Sequence, residues 1–189
     1  PPDNYKDFVA YVKANKDKVA LANAGIGAAS HLCGLLFMSA IQADLTTVPY
    51  KGTAPAINDL LGGQVDILCD QTTNTTSYIK SGRIKAYAVT SKARVPSLPD
   101  LPPAAEAGLP GFEVNVWHGV YAPKGTPKPV IDKLVAALQA GIADPAFVQK
   151  MAELGSVVVG KDKATPDGLR NHLKAEIDKW TPIIRKAGV

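Results

Sequence analysis

A chain of 189 residues, 46% apolar and 20% charged, has the composition of a soluble globular protein and lies far from disordered, fibrous or collagen-like sequences. Its 21 Lys and Arg against 17 Asp and Glu leave a net charge of +4, spread along the chain without a dense basic block or interleaved aromatics, which argues against nucleic-acid binding. No apolar run reaches the roughly 18 residues that span a bilayer, and no basic-then-apolar segment precedes the first helix, so neither a membrane span nor an export signal is expected within the chain. The mild positive excess suits an anionic small ligand, as it would suit many bland surfaces. At this length, one large domain and one and a half smaller ones are both open.

In chain order, Tyr5, Phe8, Val9 and Val12 lie at helical spacing, predicting a helix over 3–16 with Asp3 as its N-cap. The apolar run Val19–Ala22 predicts a strand that passes through Asn23-Ala24-Gly25-Ile26-Gly27 into a helix over Ala28–Ile41. The unit then repeats. Leu45–Tyr50 reads as a strand, Gly52-Thr53 as the start of a helix reaching Leu61, and Gly62-Gly63 as its stop. Val65–Cys69 is a buried strand, Thr72–Lys80 a helix closed by Gly82, and Ile84–Thr90 another strand. Such alternation predicts an α/β fold with a mainly parallel sheet and helices on both faces.

Between Ser91 and Gly111 stand Pro96, Pro99, Pro102, Pro103 and Pro110, the texture of a crossover between lobes. Phe112–Ala122 is expected to be extended. Thr126 is expected to cap a helix over Pro127–Ala143, followed by a helix over Pro145–Leu154, a short strand Val157–Val159 and a long helix Pro166–Ala187 with Leu169, Leu173, Ile177 and Trp180 on one face.

The sharpest local feature is the turn Asn23–His31. A strand that enters a helix through two glycines leaves backbone N–H groups at the helix N-terminus, where the dipole favours an anion such as a carboxylate or phosphate. Small residues there also serve simply to pack a tight connection. The turn lacks the third glycine of a dinucleotide fingerprint and the Gly-Lys-Ser/Thr of a P-loop. Ser30 beside His31 does not make a nucleophile and base, because neighbours on a helix point about 100° apart and the G-x-S-x-G elbow is absent. Val48–Thr53 and Asp70–Thr73 sit at two further strand exits, and in a parallel sheet such exits share one edge, outside which ligands bind. Capping by Thr and Asp is the competing explanation for each one singly. Trp117-His118-Gly119 could line an interlobe cleft or pack in a core. His31, His118 and His172 are isolated, no motif has metal-ligand spacing, and no cofactor is expected. Cys33 and Cys69 match no metal or redox pattern; two small buried hydrophobes are expected, with a disulfide open in an oxidising compartment.

Seven stretches together resemble the substrate-binding component of tripartite tricarboxylate transporters, the Bug-type receptors: Ala24–His31, Val48–Ala56, Asp59–Asp66, Ile79–Arg83, Ala88–Ser91, Glu106–Gly111 and Ala122–Pro127. In order and spacing they cover essentially the whole chain. The resemblance implies a type II periplasmic binding protein-like fold, two α/β lobes around a cleft, with family members running longer at the N-terminus. On that basis residues 1–108 are mostly the second lobe (about 1–105), and 109–189 are the hinge return and the C-terminal part of the first. It further implies a periplasmic, monomeric receptor that captures a mono-, di- or tricarboxylate, aromatic ones included, hands it to integral-membrane transporter subunits, and catalyses nothing. The candidate ligand-binding residues are Gly25, Ile26, Gly27, Ala28, Ser30, His31, Tyr50, Lys51, Gly52, Thr53, Asp70, Gln71, Thr72 and Trp117. Asp70–Thr73 departs from a segment that is often apolar and Pro-containing in the family, a difference expected to tune ligand choice. An enzyme using the glycine turn as an anion site, such as a transferase, is the alternative, and an interaction domain is a third.

Overall fold

The structure, a computed structural model, describes residues 2–186; Ala187, the expected end of the last helix, lies outside them. The chain divides into two compact units, Pro1–Val116 and Trp117–Val189.

The first unit holds helix α1 (Tyr5–Ala14), strand β1 (Ala20–Asn23), α2 (Ala29–Ile41), β2 (Thr46–Pro49), α3 (Thr53–Leu61), β3 (Ile67–Leu68) and α4 (Thr72–Lys80). β1 lies at the centre of a three-stranded sheet of order β2-β1-β3 and pairs parallel with both neighbours. Leu21, Ala22 and Asn23 are all buried, as expected of a strand covered on both faces. Ala22, Ala56 and Val65 form a small core on which Val48, Tyr50, Leu60 and Leu68 pack. Gly34 allows α2 to lie close to the sheet: a Cβ there would stand 2.9 Å from a Leu21 methyl. A second cluster joins α1 to the rest through Tyr5, Phe8, Phe37, Tyr87 and Phe112, with Phe8 stacked on Tyr87 at 4.3 Å.

Several boundaries differ from expectation for physical reasons. α1 is capped by Asn4, whose Oδ1 accepts from Asp7 N–H at 2.9 Å, and not by Asp3. The strand expected over 84–90 contributes an isolated parallel bridge, Val89 to Pro103, with Thr90 and Val114 bonded to each other beside it. Phe112–Ala122 and Val157–Val159 form no regular strand. In the second unit, α5 (Lys128–Ile142) begins after Pro127, because the Thr126 hydroxyl turns back to donate to the Pro123 carbonyl; α6 (Pro145–Glu153) is capped by Asp144, and α7 spans Pro166–Lys186. Among the described residues of this unit none is buried. Val130, Leu134 and Leu138, spaced by four along α5, all remain more than two-fifths exposed.

The Tyr5 hydroxyl is buried and has no hydrogen-bond partner among the described residues, and burial raises its pKa from 10.0 to about 12. Below pH 10 Tyr5 is neutral in both the folded and unfolded chain. From pH 10 to 12 the unfolded chain ionises first, so this part of the stability is lost as the pH rises. Tyr5→Phe keeps the ring and removes an unpaired buried group that costs about 1–3 kcal/mol. Thermal denaturation should show a melting temperature unchanged or raised at neutral pH, and a shallower decline between pH 10 and 12; a lower melting temperature would contradict this placement.

Candidate functional site

Because β1, β2 and β3 run parallel, their exits leave the same edge of the sheet, and each leads within a few residues into the next helix. The loops interlock. Tyr50 N–H donates to Asn23 O at 2.9 Å and Gly52 N–H to Ala24 O at 3.1 Å, extending the β1–β2 pairing beyond the strands. Gly25 has φ +125° and a Cβ there would meet the Tyr50 carbonyl at 3.2 Å, so glycine answers both a backbone and a packing need. Gly27 and Gly52, at φ +80° and +109°, also lie where side chains are disfavoured.

The glycine turn is not the row of unpaired amides that its sequence suggests. Ala24 N–H donates to Ser30 Oγ at 2.8 Å, Gly25 N–H to Asn23 Oδ1 at 3.0 Å, Gly27 N–H to His31 Nδ1 at 3.1 Å and Ala28 N–H to Gly25 O at 3.0 Å. Asn23, Ser30 and His31 therefore brace the turn, and the acceptance at Nδ1 places the His31 proton on Nε2. The donors that remain lie one step further on. α2 has no side-chain cap, and among the described residues the N–H groups of Ala29, Ser30 and His31 find no protein acceptor. Ile26, between the two glycines, is 78% exposed at the tip of the turn.

At the second and third exits the polar side chains answer one another. Thr53, the first residue of α3, donates through Oγ1 to Asp70 Oδ2 at 2.8 Å, joining the loops that follow the two outer strands. Asp70 Oδ1 accepts from Gln71 N–H at 2.6 Å and from Asn74 Nδ2 at 2.8 Å. Tyr50 Oη donates to Asp59 Oδ2 at 2.7 Å, and this bond, followed by desolvation and the Asp59 charge, raises the tyrosine pKa. Lys51 is exposed on the same loop. α3 and α4 likewise lack side-chain caps, while Pro55 removes one donor from the first turn of α3.

Thirteen of the fourteen sequence candidates, from Gly25 to Thr72, thus lie on one edge of one sheet. Trp117 belongs to the second unit, where its ring meets His172 edge-on at 4.7 Å. Asn23, Asp59 and Asn74, which orient the turns, are not among the candidate ligand-binding residues, although Asn23 opens the glycine turn and Asp59 opens one of the seven stretches. Cys33 and Cys69, expected as small buried hydrophobes with a disulfide left open, form that disulfide, between α2 and the residue preceding Asp70. Two cysteines 36 residues apart meet because α2 packs on β1, and β1 pairs with β3, whose last residue Leu68 precedes Cys69. Among the described residues no group of three or more His, Cys, Asp or Glu could hold a metal ion, and no helix is long and apolar enough to cross a membrane.

A parallel sheet with its loops gathered on one edge is the α/β architecture of the periplasmic binding proteins, and solved structures of that class superpose closely. The periplasmic binding protein BugD is 59% identical with a TM-score of 0.95, the match covering 100% of this chain and 63% of that one. MatC from Rhodopseudomonas palustris, described with bound malate, is 37% identical with a TM-score of 0.92, covering 97% of this chain and 63% of its own. A curated relative from Agrobacterium vitis, the UPF0065 protein in the TAR-I ttuE-ttuC' intergenic region, is 47% identical over 99% of this chain and 54% of its own length. The family model of the tripartite tricarboxylate transporter family receptor matches residues 1–189, and the chain belongs to that family. It spans little more than half the length of this curated relative.

The disulfide closes a long loop and anchors the β3 exit. Chain-entropy arguments put its contribution at about 3–4 kcal/mol. Urea denaturation of the oxidised and the reduced protein should differ by that order, the reduced form unfolding earlier; coincident curves would show that the bridge restrains nothing.

Proposed function

We propose that the protein is an extracytoplasmic receptor that captures a small carboxylate at the carboxyl edge of the β2-β1-β3 sheet and delivers it to a tripartite tricarboxylate-type membrane transporter. The observation that carries this is the uncapped N-terminus of α2, whose first-turn amides follow a turn braced by Asn23, Ser30 and His31. Amides and a helix dipole fixed in this way receive an anionic oxygen without a metal, a cofactor or a reorganisation of the loop. Gly25, Ile26, Gly27, Ala28, Ser30 and His31 frame the carboxylate, while Tyr50, Lys51, Gly52, Thr53, Asp70, Gln71 and Thr72 frame the remainder of the ligand. Family membership and the malate described with MatC support the ligand class, and the receptor character of the relatives supports binding without turnover. The disulfide suits the oxidising periplasm.

Residues 1–108 are proposed as most of one lobe and 109–189 as the hinge return and part of another. The second unit supports this, because it buries none of its described residues and leaves the apolar row on α5 without a covering layer. The segment that covers it is proposed to be the additional polypeptide present in the longer relatives.

Thermal denaturation against a panel of mono-, di- and tricarboxylates tests the assignment. A ligand at about 100 times its Kd adds about 2.7 kcal/mol, a rise of roughly 5–10 °C for a chain of this size. At least one carboxylate should produce it; a panel without any shift would overturn the assignment, and consumption of a ligand would favour an enzyme.

A further inference from the structure

The direction of the hydrogen bonds at the rim narrows the ligand class. A Thr or Tyr hydroxyl has one proton and two lone pairs, whereas a carboxylate only accepts. Thr53 and Tyr50 each commit their proton to a carboxylate, to Asp70 at 2.8 Å and to Asp59 at 2.7 Å. Toward a ligand both hydroxyls can therefore only accept. Asp70 takes donors from Thr53, Gln71 and Asn74, which fix its orientation, and its remaining capacity is also for acceptance. The β1 exit has the opposite character, offering the first-turn amides of α2 and the Nε2–H of His31.

Resting on the carboxylate-receptor assignment above, we infer that the preferred ligand carries a hydrogen-bond donor, a hydroxyl or an ammonium, close to its carboxylate. The carboxylate lies on the α2 amides and the donor meets the Thr53–Asp70 pair, which bridges the loops on either side of the β1 exit. A plain diacid offers that pair either a methylene, leaving polar acceptors unmatched, or a second anionic oxygen, which Asp70 repels. Asp70 is here a positioning residue. It acts through Thr53, by holding the hydroxyl proton away from the ligand.

Isothermal titration with two matched series tests this: succinate, malate and aspartate, and glutarate, 2-hydroxyglutarate and glutamate, each differing only in a hydrogen, a hydroxyl or an ammonium next to the carboxylate. In the series that binds, the hydroxy or amino acid should bind about tenfold or more tightly than the plain diacid, the worth of one net hydrogen bond. Asp70→Asn preserves the shape but turns an amide N–H toward Thr53, freeing the threonine proton to donate, and should bring the ratio of amino acid to plain diacid to about one, since an ammonium has no lone pair to accept that proton. The double variant Thr53→Val/Asp70→Ala removes both acceptors and should bring the ratio to about one for the hydroxy acid and the amino acid alike. A plain diacid that binds as tightly as its substituted partners overturns the inference and leaves the carboxylate assignment standing. A tenfold preference for the amino acid that survives in folded Asp70→Asn, or for either substituted acid in the folded double variant, overturns it too. Absence of binding by every carboxylate, in both series and in the thermal panel, removes the assignment and the inference together.

Discussion

Parallel pairing of β1 with both of its neighbours is the constraint on which the rest depends. It sends three chain segments out of the same edge of the sheet, and the short connections oblige each to turn at once into a helix. Helix N-termini, glycines and small polar side chains are thereby gathered without any long loop to position them. Had β2 or β3 run antiparallel, one of the exits would lie at the opposite edge, and the Thr53–Asp70 bond could not form. The disulfide reinforces the same geometry by tying α2 to the end of β3.

The rim is organised by what its groups have left over after satisfying one another. Four amides of the glycine turn are already bonded within the turn, which makes it a stiff support and leaves the first-turn amides of α2 as the proposed anion-holding groups. The hydroxyls of Tyr50 and Thr53 are likewise engaged, which makes the outer exits accepting. Donors lie on one side and acceptors on the other. The proposed site, polarised in this way, selects by the chemistry of a ligand's substituents as well as by its charge, with groups whose orientation is fixed before the ligand arrives.

The parts of this arrangement legible in the sequence are those written in local chemistry. α3 and α4 have the expected boundaries, because Gly52-Thr53 and Gln71-Thr72 mark abrupt exits from extended chain and Gly62-Gly63 and Gly82 mark the stops. The alternation of short apolar runs with helices led directly to the parallel sheet. The segment 84–90 looked equally strand-like, but only Val89 has a bridging partner, and a strand exists only where another lies alongside. The Cys33–Cys69 bridge and the direction of the Thr53 hydrogen bond were illegible for a shared reason: each depends on a partner many residues away, brought near by the fold and invisible to local pattern. Asn4 in place of Asp3 at the first cap is a subtler case, since either side chain can accept from an amide and only the backbone path selects between them.

The first-turn amides of α2 are proposed to receive the ligand's carboxylate, and amide-resolved NMR during titration with malate observes those groups individually. Ala29, Ser30 and His31 should show the largest saturable shifts, with Gly25 and Gly27 following as the braced turn adjusts. Saturable binding that leaves these amides unmoved while perturbing residues away from the β2-β1-β3 edge would contradict that proposal.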